Sequence, residues 1–391
     1  MPIVNRIAEY HDELTAWRRH LHERPELGFQ EHETAAFVAD KLRGFGVDEV
    51  HTGLAGTGVV AVIRGAAGGR TIGLRADMDA LPIQEATGLG WSSKSAGRMH
   101  ACGHDGHTTM LLGAARYLAE TRNFAGTAYL IFQPAEEGGG GGRVMVGDGL
   151  FEQFPAEQVF GLHNWPYAPA GTFAMCQGPA MAASDELTIE LEGQGCHAAM
   201  PHLGRDPIVA ASLLVQALQP LVAREVDPID NAVISITRII GGDAYNVVPE
   251  RVELWGTIRT FREATREHLL RRIEEAAQGV GLAQGVKATV KVAAGYPATV
   301  NTAGEAALGA DAAAEIVGEA NVERAPAPCM GSEDFAFMLQ QRPGSYIWMG
   351  TGADGPARQL HSPYYDFNDD ALPLGVSYWV RLVERLLPSA A

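Results

Sequence analysis

Cysteine is scarce in this chain: four residues in 391, Cys102, Cys176, Cys196 and Cys329, lie far apart and form no C-x-x-C pair. A disulfide framework is therefore not expected, and a reducing compartment, the cytoplasm, fits the usage better. Long apolar runs are missing too, and Met1 to Asp12 turns charged before any apolar stretch develops. An unprocessed protein with no membrane partner is the expectation. Positive charge is in deficit, with 30 Lys and Arg against 47 Asp and Glu and a net charge of −17. Nucleic acid or an anionic membrane would be repelled by most of such a surface, whereas bound cations would offset part of it. No G-x-G-x-x-G follows a strand and opens a helix with a later acidic partner at the right spacing, and no G-x-S-x-G elbow occurs. Dinucleotide binding and serine-based hydrolysis are thereby left without support.

What is present is length enough for two domains, with 46% hydrophobic residues to build a sizeable core. The densest chemistry is Met99-His100-Ala101-Cys102-Gly103-His104-Asp105-Gly106-His107. A thiol, three imidazoles and a carboxylate so close together read first as a divalent-metal site, with a polar helix N-terminus as the plainer alternative.

Helical spacing runs over residues 6 to 23, 31 to 43 and 108 to 120, the last placing Cys102 and His104 on a loop entering a helix. His11, His20 and His22, on the first of these, read as surface or packing residues. Strands are expected over 58 to 64, 71 to 75, 127 to 133 and 158 to 166, with a turn at Gly65 to Gly69. The second ends at Ala76-Asp77-Met78-Asp79, the third at Pro134-Ala135-Glu136-Glu137 and five glycines, and the fourth carries His163. Adjacent carboxylates at a strand end are costly unless a cation neutralises them, although a flexible acidic loop would also fit. For Asp77 and Asp79, site residues and capping groups remain equal readings.

From Asp185 the pattern becomes strand, helix (206 to 221), two strands (232 to 240 and 251 to 261), helix (263 to 280) and strand (287 to 293). That order is a ferredoxin-like module, inserted in a chain whose last hundred or so residues return to α/β alternation. The expected architecture is an α/β catalytic domain over 1–182 and 296–391, interrupted by an α+β lid over 183–295.

The runs His100 to His107, Phe132-Gln-Pro-Ala-Glu-Glu-Gly-Gly139, Gly161-Leu-His-Asn-Trp165 and His197-Ala-Ala-Met-Pro-His202 together resemble the M20 metallopeptidase family. Within it the chain is similar to the amidohydrolase branch of hippurate hydrolases, N-acyl-amino-acid hydrolases and plant indole-acetyl-amino-acid hydrolases. The likeness runs from Trp17-Arg-Arg-His-Leu21 and Pro25-Glu-Leu-Gly28 to Tyr365-Asp-Phe-Asn-Asp369.

The resemblance implies a zinc-peptidase-like catalytic domain and two divalent ions, Zn, Mn, Co or Ni. Cys102 would bridge them, His104 and His163 would complete one site, and Glu137 and His361 the other. Glu136 would be the general base, Asp79 and possible partner Asp77 would orient ligands, and His197 would stabilise the oxyanion. Asn246 and Arg259 match positions near the substrate's carboxylate, their plainer reading being a turn asparagine and a strand-edge arginine. The implied reaction is hydrolysis of the amide of a small N-acyl amino acid, N-benzoylglycine leading, by a homodimer or homotetramer. A dipeptidase or carboxypeptidase, and a homologue that keeps its metals without turnover, are the alternatives. Cys196 and Tyr167 stand where this branch usually has glycine, so the acyl pocket is expected to depart from that of a typical hippurate hydrolase.

Overall fold

A computed structural model describes residues 5–352 and 358–389. The chain divides into two compact units, one formed by Met1–Ala180, Thr299–Pro328 and Asp334–Ala391 and the other by Met181–Ala298 with Cys329–Glu333. The short run Cys329–Glu333 joins the second unit because the Ala182 N–H bonds to the carbonyls of Cys329 and Gly331.

The first unit is built on an eight-stranded mixed sheet. Its order is Glu49–Leu54, Gly58–Arg64, Ala125–Gln133, Ala66–Asp77, Gln158–Pro169, Gly344–Gly352, Phe173–Ala174 and Val322–Glu323. The four central strands, from Ala125–Gln133 to Gly344–Gly352, run parallel. Such strands are buried on both faces, which is why Ala125–Gln133 and Gln158–Pro169 read as near-continuous apolar runs. Helices His11–His22, His104–Thr121, Ala303–Val317 and Leu372–Leu386 pack together beside the sheet. Their Leu14, Met110, Leu111, Leu112, Ala313, Val376 and Trp379 enter one core with Leu74, Leu130 and Ile347 of the strands. Each fully buried aliphatic or aromatic side chain there contributes about 1.5–3 kcal/mol before entropy is counted.

The first expected helix is two pieces, Asn5–Ala8 and His11–His22. Gly65 to Gly69, expected as a turn, is mostly strand: Ala66 and Arg70 both pair with the Ala125–Gly126 end, across a register shift. Gly69 has φ 83°, and a Cβ on it would lie 2.2 Å from the Ala125 carbonyl oxygen. Only glycine lets the bulged strand approach its neighbour this closely.

The second unit is an antiparallel sheet in the order Ala232–Ile240, Arg251–Thr260, Ala183–Glu192, Lys287–Ala294, with helices Pro207–Pro220 and Glu263–Gln284. Leu187, Ile189, Leu191, Val252 and Leu254 alternate inward against Leu214, Leu218, Leu269 and Ile273 of the helices. The β-α-β-β-α-β order expected from sequence is the one observed. Among the described residues one run, Pro207–Glu225, has the length and composition to cross a membrane, contrary to the sequence expectation. Its Ala210, Ala211, Leu214, Leu218 and Leu221 are instead buried in this unit's own core.

Candidate metal centre

Parallel strands present their carboxyl ends on one side of a sheet, and loops leaving those ends are where α/β folds gather chemistry. Here the strand Ala66–Asp77 delivers Asp77 and, two residues on, Asp79. The strand Ala125–Gln133 leads to Glu136 and Glu137, Gln158–Pro169 carries His163, and His361 lies beyond Gly344–Gly352. The helix His104–Thr121 supplies its own first residue, with Cys102 just before it. Gly103 between them has φ 91°, and a Cβ there would sit 2.3 Å from Asn164 Oδ1 and 2.6 Å from the Tyr365 hydroxyl. Glycine at this position therefore lets Cys102 and His104 turn to the same point.

Among the described residues, five groups of potential ligand atoms result: Cys102, His104 and His163; Cys102, Glu137 and His361; His104, Glu136 and Glu137; Asp77, His104 and His107; and Glu136, Glu333 and Asp334. Within each, the atoms lie within 4.8 Å of one another. Cys102 belongs to two of the groups, and its Sγ is 3.4 Å from His163 Nε2.

Two imidazoles are aimed by their other nitrogen. His104 Nδ1 lies 2.9 Å from the Asp79 carbonyl oxygen and 3.1 Å from Asp79 Oδ1. His163 Nδ1 lies 2.7 Å from the Asn164 carbonyl oxygen. With the proton donated on that side, Nε2 of a neutral ring faces the cluster. Burial opposes charge on His104, but Asp77 and Cys102 outweigh it and raise its pKa, so its second proton is one a metal would displace. Among the described residues, His104 Nε2 is buried with no hydrogen-bond partner, and so is Glu137 Oε1. That oxygen is 3.2 Å from His361 Nε2, close enough for both to meet one cation. Buried polar atoms left unpaired are expensive, and a divalent cation satisfies all of them together.

The loops that bring these groups in are strained. Ala135 and His361 are among the few non-glycine residues with positive φ, 54° and 61°. The Ala135 N–H is held by the buried Glu31 carboxylate at 2.8 Å, and the His361 N–H by the Ala101 carbonyl at 2.8 Å. Surrounding structure thus fixes conformations that alone would be disfavoured, a pattern typical of working sites.

Electrostatics agree with this arrangement. Burial, and then Glu137, push the Cys102 thiol up, so a thiolate there calls for a cation. Burial and the neighbouring His107 hold His163 well below the usual imidazole range, in its neutral, ligating form. Cys102 and Glu137 raise His361 to about 10, and its proton is the one a metal would displace. Burial opposes charge on Asp77, but His104, His107 and Arg75 outweigh it and keep Asp77 ionised. Asp77 is taken up by Arg75 at 2.8 Å and His107 at 2.6 Å.

The second unit carries the other expected residues. His197 pairs in register with Val247, the Ala198 N–H bonds to the Asn246 carbonyl at 2.9 Å, and the Ala199 N–H donates to His197 Nδ1 at 3.1 Å. The exposed His197 ring therefore keeps its proton on Nε2. Arg259 is half-buried and reaches Ser332 Oγ at 3.2 Å. Among the described residues it forms no ion pair, and burial lowers its pKa.

Other residues that hold the centre were not anticipated. Asn164 and His107 lock together at 2.7 Å, and the Asn164 amide donates to the Tyr365 hydroxyl at 2.8 Å. Asp334 receives Arg75, Gln133 and the Gly142 N–H at 2.7–2.9 Å, tying the Glu136–Glu137 loop to the sheet. The fully buried Arg18 and His22 of the helix His11–His22 reach Asp366, Asp369 and Asp105.

The model of peptidase family M20/M25/M40 matches residues 73–385. The hippurate hydrolase of Campylobacter jejuni is 41% identical over 387 residues, covering 99% of this chain and 100% of that protein. The N-acetyl-L-cysteine deacetylase of Bacillus subtilis is 41% identical over 96% of this chain and 89% of its own length. Among solved structures, the YXEP protein of Bacillus subtilis, described as a dinuclear metal binding peptidase from the M20 family, superposes with a TM-score of 0.85. It is 35% identical and covers 97% of this chain and 99% of that one.

Proposed function

The chain belongs to peptidase family M20/M25/M40, and on that premise we propose that it hydrolyses the amide bond of N-acyl amino acids with two divalent metal ions. The observation that carries this is the convergence of Cys102, His104, His163, Glu137 and His361, with both histidines on the Cys102 side anchored through Nδ1. Cys102 would lie between the ions, His104 and His163 on one, Glu137 and His361 on the other. Bound there, such ions supply Lewis acidity that lowers the pKa of water towards about 7 and polarises a carbonyl. Zn, Mn, Co and Ni all suit a set of thiolate, imidazole and carboxylate.

Glu136 is adjacent to Glu137 and buried in the same cluster, and acts as general base. It takes the water proton as the new C–O bond forms, then passes it to the nitrogen as the C–N bond breaks. Asp79, and Asp77 through His107, hold the ligands in place. His197, its proton kept on Nε2 by the Ala199 N–H, donates to the oxyanion, a contact of a kind worth about 3 kcal/mol. Arg259, half-buried and without a carboxylate partner among the described residues, pairs with the carboxylate of the amino-acid half, and Asn246 assists.

The leading substrate is N-benzoylglycine, as the name of the Campylobacter jejuni relative suggests. The protein is proposed to work in the cytoplasm, in keeping with its four free cysteines, as a homodimer or homotetramer. Amino-acid release from N-benzoylglycine, N-acetyl amino acids and free dipeptides tests the reading. Release from the N-acylated compounds is expected; release from dipeptides alone would make this a peptidase instead.

A further inference from the structure

The sheet face that carries His163 goes on to carry Trp165 and Tyr167, since residues two apart on a strand share a face. Trp348, on the parallel neighbour Gly344–Gly352, is paired in register with His163. Its indole stacks on that of Trp165, with centroids 5.1 Å apart and planes inclined by 25°. Tyr167 meets Trp165 edge-on, also at 5.1 Å. This is more than core filling: Trp165 is partly exposed and Tyr167 is 51% exposed. Trp348 is buried, yet among the described residues its indole N–H has no hydrogen-bond partner, a costly arrangement unless an acceptor arrives with a ligand.

We infer that Trp165, Tyr167 and Trp348 form the acyl subsite of the centre and select aromatic acyl groups over short alkyl ones. The inference rests on the amidohydrolase reading above. The shelf begins one strand repeat, about 7 Å, from His163, so the substituent of a carbonyl attacked beside His163 lies within its reach. A flat ring gains offset stacking on Trp165 and an edge contact with Tyr167, whereas a methyl group gains neither. The two relatives named above frame the choice, one acting on a benzoyl and the other on an acetyl amide by their names.

The test compares kcat/KM for N-benzoylglycine and N-acetylglycine in the wild type, Trp165→Leu and Tyr167→Gly. Inhibition by benzoate and by acetate is measured in parallel. The benzoyl-to-acetyl ratio is expected to fall about tenfold in Trp165→Leu and by a smaller factor in Tyr167→Gly, whose exposed side chain can be removed without opening the core. The preference for benzoate over acetate narrows in step. An unchanged ratio in both variants overturns the subsite, as does an equal loss on both substrates. If the wild type releases glycine from neither compound, the proposed activity fails, and the benzoate and acetate titrations then decide the subsite alone.

Discussion

Asp79 joins His104 to Glu137: one carboxylate oxygen lies 3.1 Å from His104 Nδ1, and the other accepts the Glu137 N–H at 2.9 Å. A single buried side chain thus orients one proposed ligand from each of the two proposed metal positions.

Replacing Asp79 with Ala should therefore weaken metal binding more than it disturbs the fold. Loss of such an outer partner typically costs 10–100-fold in metal affinity. Calorimetric titration of metal into stripped protein reads the affinity, and circular dichroism reads the fold. Unchanged affinity would remove Asp79 from the centre.

Glu136 and Glu137 are neighbours with different proposed tasks, so their amide variants should separate. Glu136→Gln is expected to keep both metals while turnover falls by about 10²–10⁴. Glu137→Gln is expected to lose metal. Elemental mass spectrometry beside a rate assay distinguishes the two, and full turnover in Glu136→Gln would exclude it as the base.

Arg259→Ala should raise KM for N-acyl amino acids, because a charge-assisted contact to the substrate's carboxylate contributes about 1.5–3 kcal/mol. The same substitution should leave little discrimination between an N-acyl amino acid and its carboxamide. A variant that still distinguishes the two as the wild type does would contradict the assignment.

His22 makes stability depend on pH. Burial works against its charge, but the Asp105 and Glu85 carboxylates outweigh burial and raise it from 6.5 to about 9. A raised histidine adds stability that is complete below its unfolded pKa and lost as pH climbs through the folded one. The melting temperature should therefore decline between pH 6.5 and 9, by the equivalent of up to about 3 kcal/mol. His22→Gln should flatten that decline, and a wild-type profile level across the window would show that the pair is not charged.

Much of the fold was readable because it is periodic. Gly58–Arg64 and Ala232–Ile240 have the bounds expected from apolar and β-branched runs, and the alternation of Leu187, Ile189 and Leu191 marks the face that packs on helices. The cluster at Cys102 to His107 was conspicuous by its density of ligand types. What could not be read are contacts between residues remote in the chain and bound by no period. Arg18 meets Asp366 across 348 positions, His22 meets Asp105 across 83, and Gln133 meets Asp334 across 201. The left-handed turns at Ala135 and His361 were hidden for a related reason: neither residue type announces positive φ, which here is imposed by partners elsewhere.

The most direct measurement is a titration of metal-stripped protein with Zn or Mn while glycine release from N-benzoylglycine is followed. Turnover should be absent without metal and should reach its plateau at two equivalents per chain. Full turnover in the stripped protein, or saturation with metal that brings no hydrolysis of any N-acyl amino acid, would contradict a dinuclear amidohydrolase.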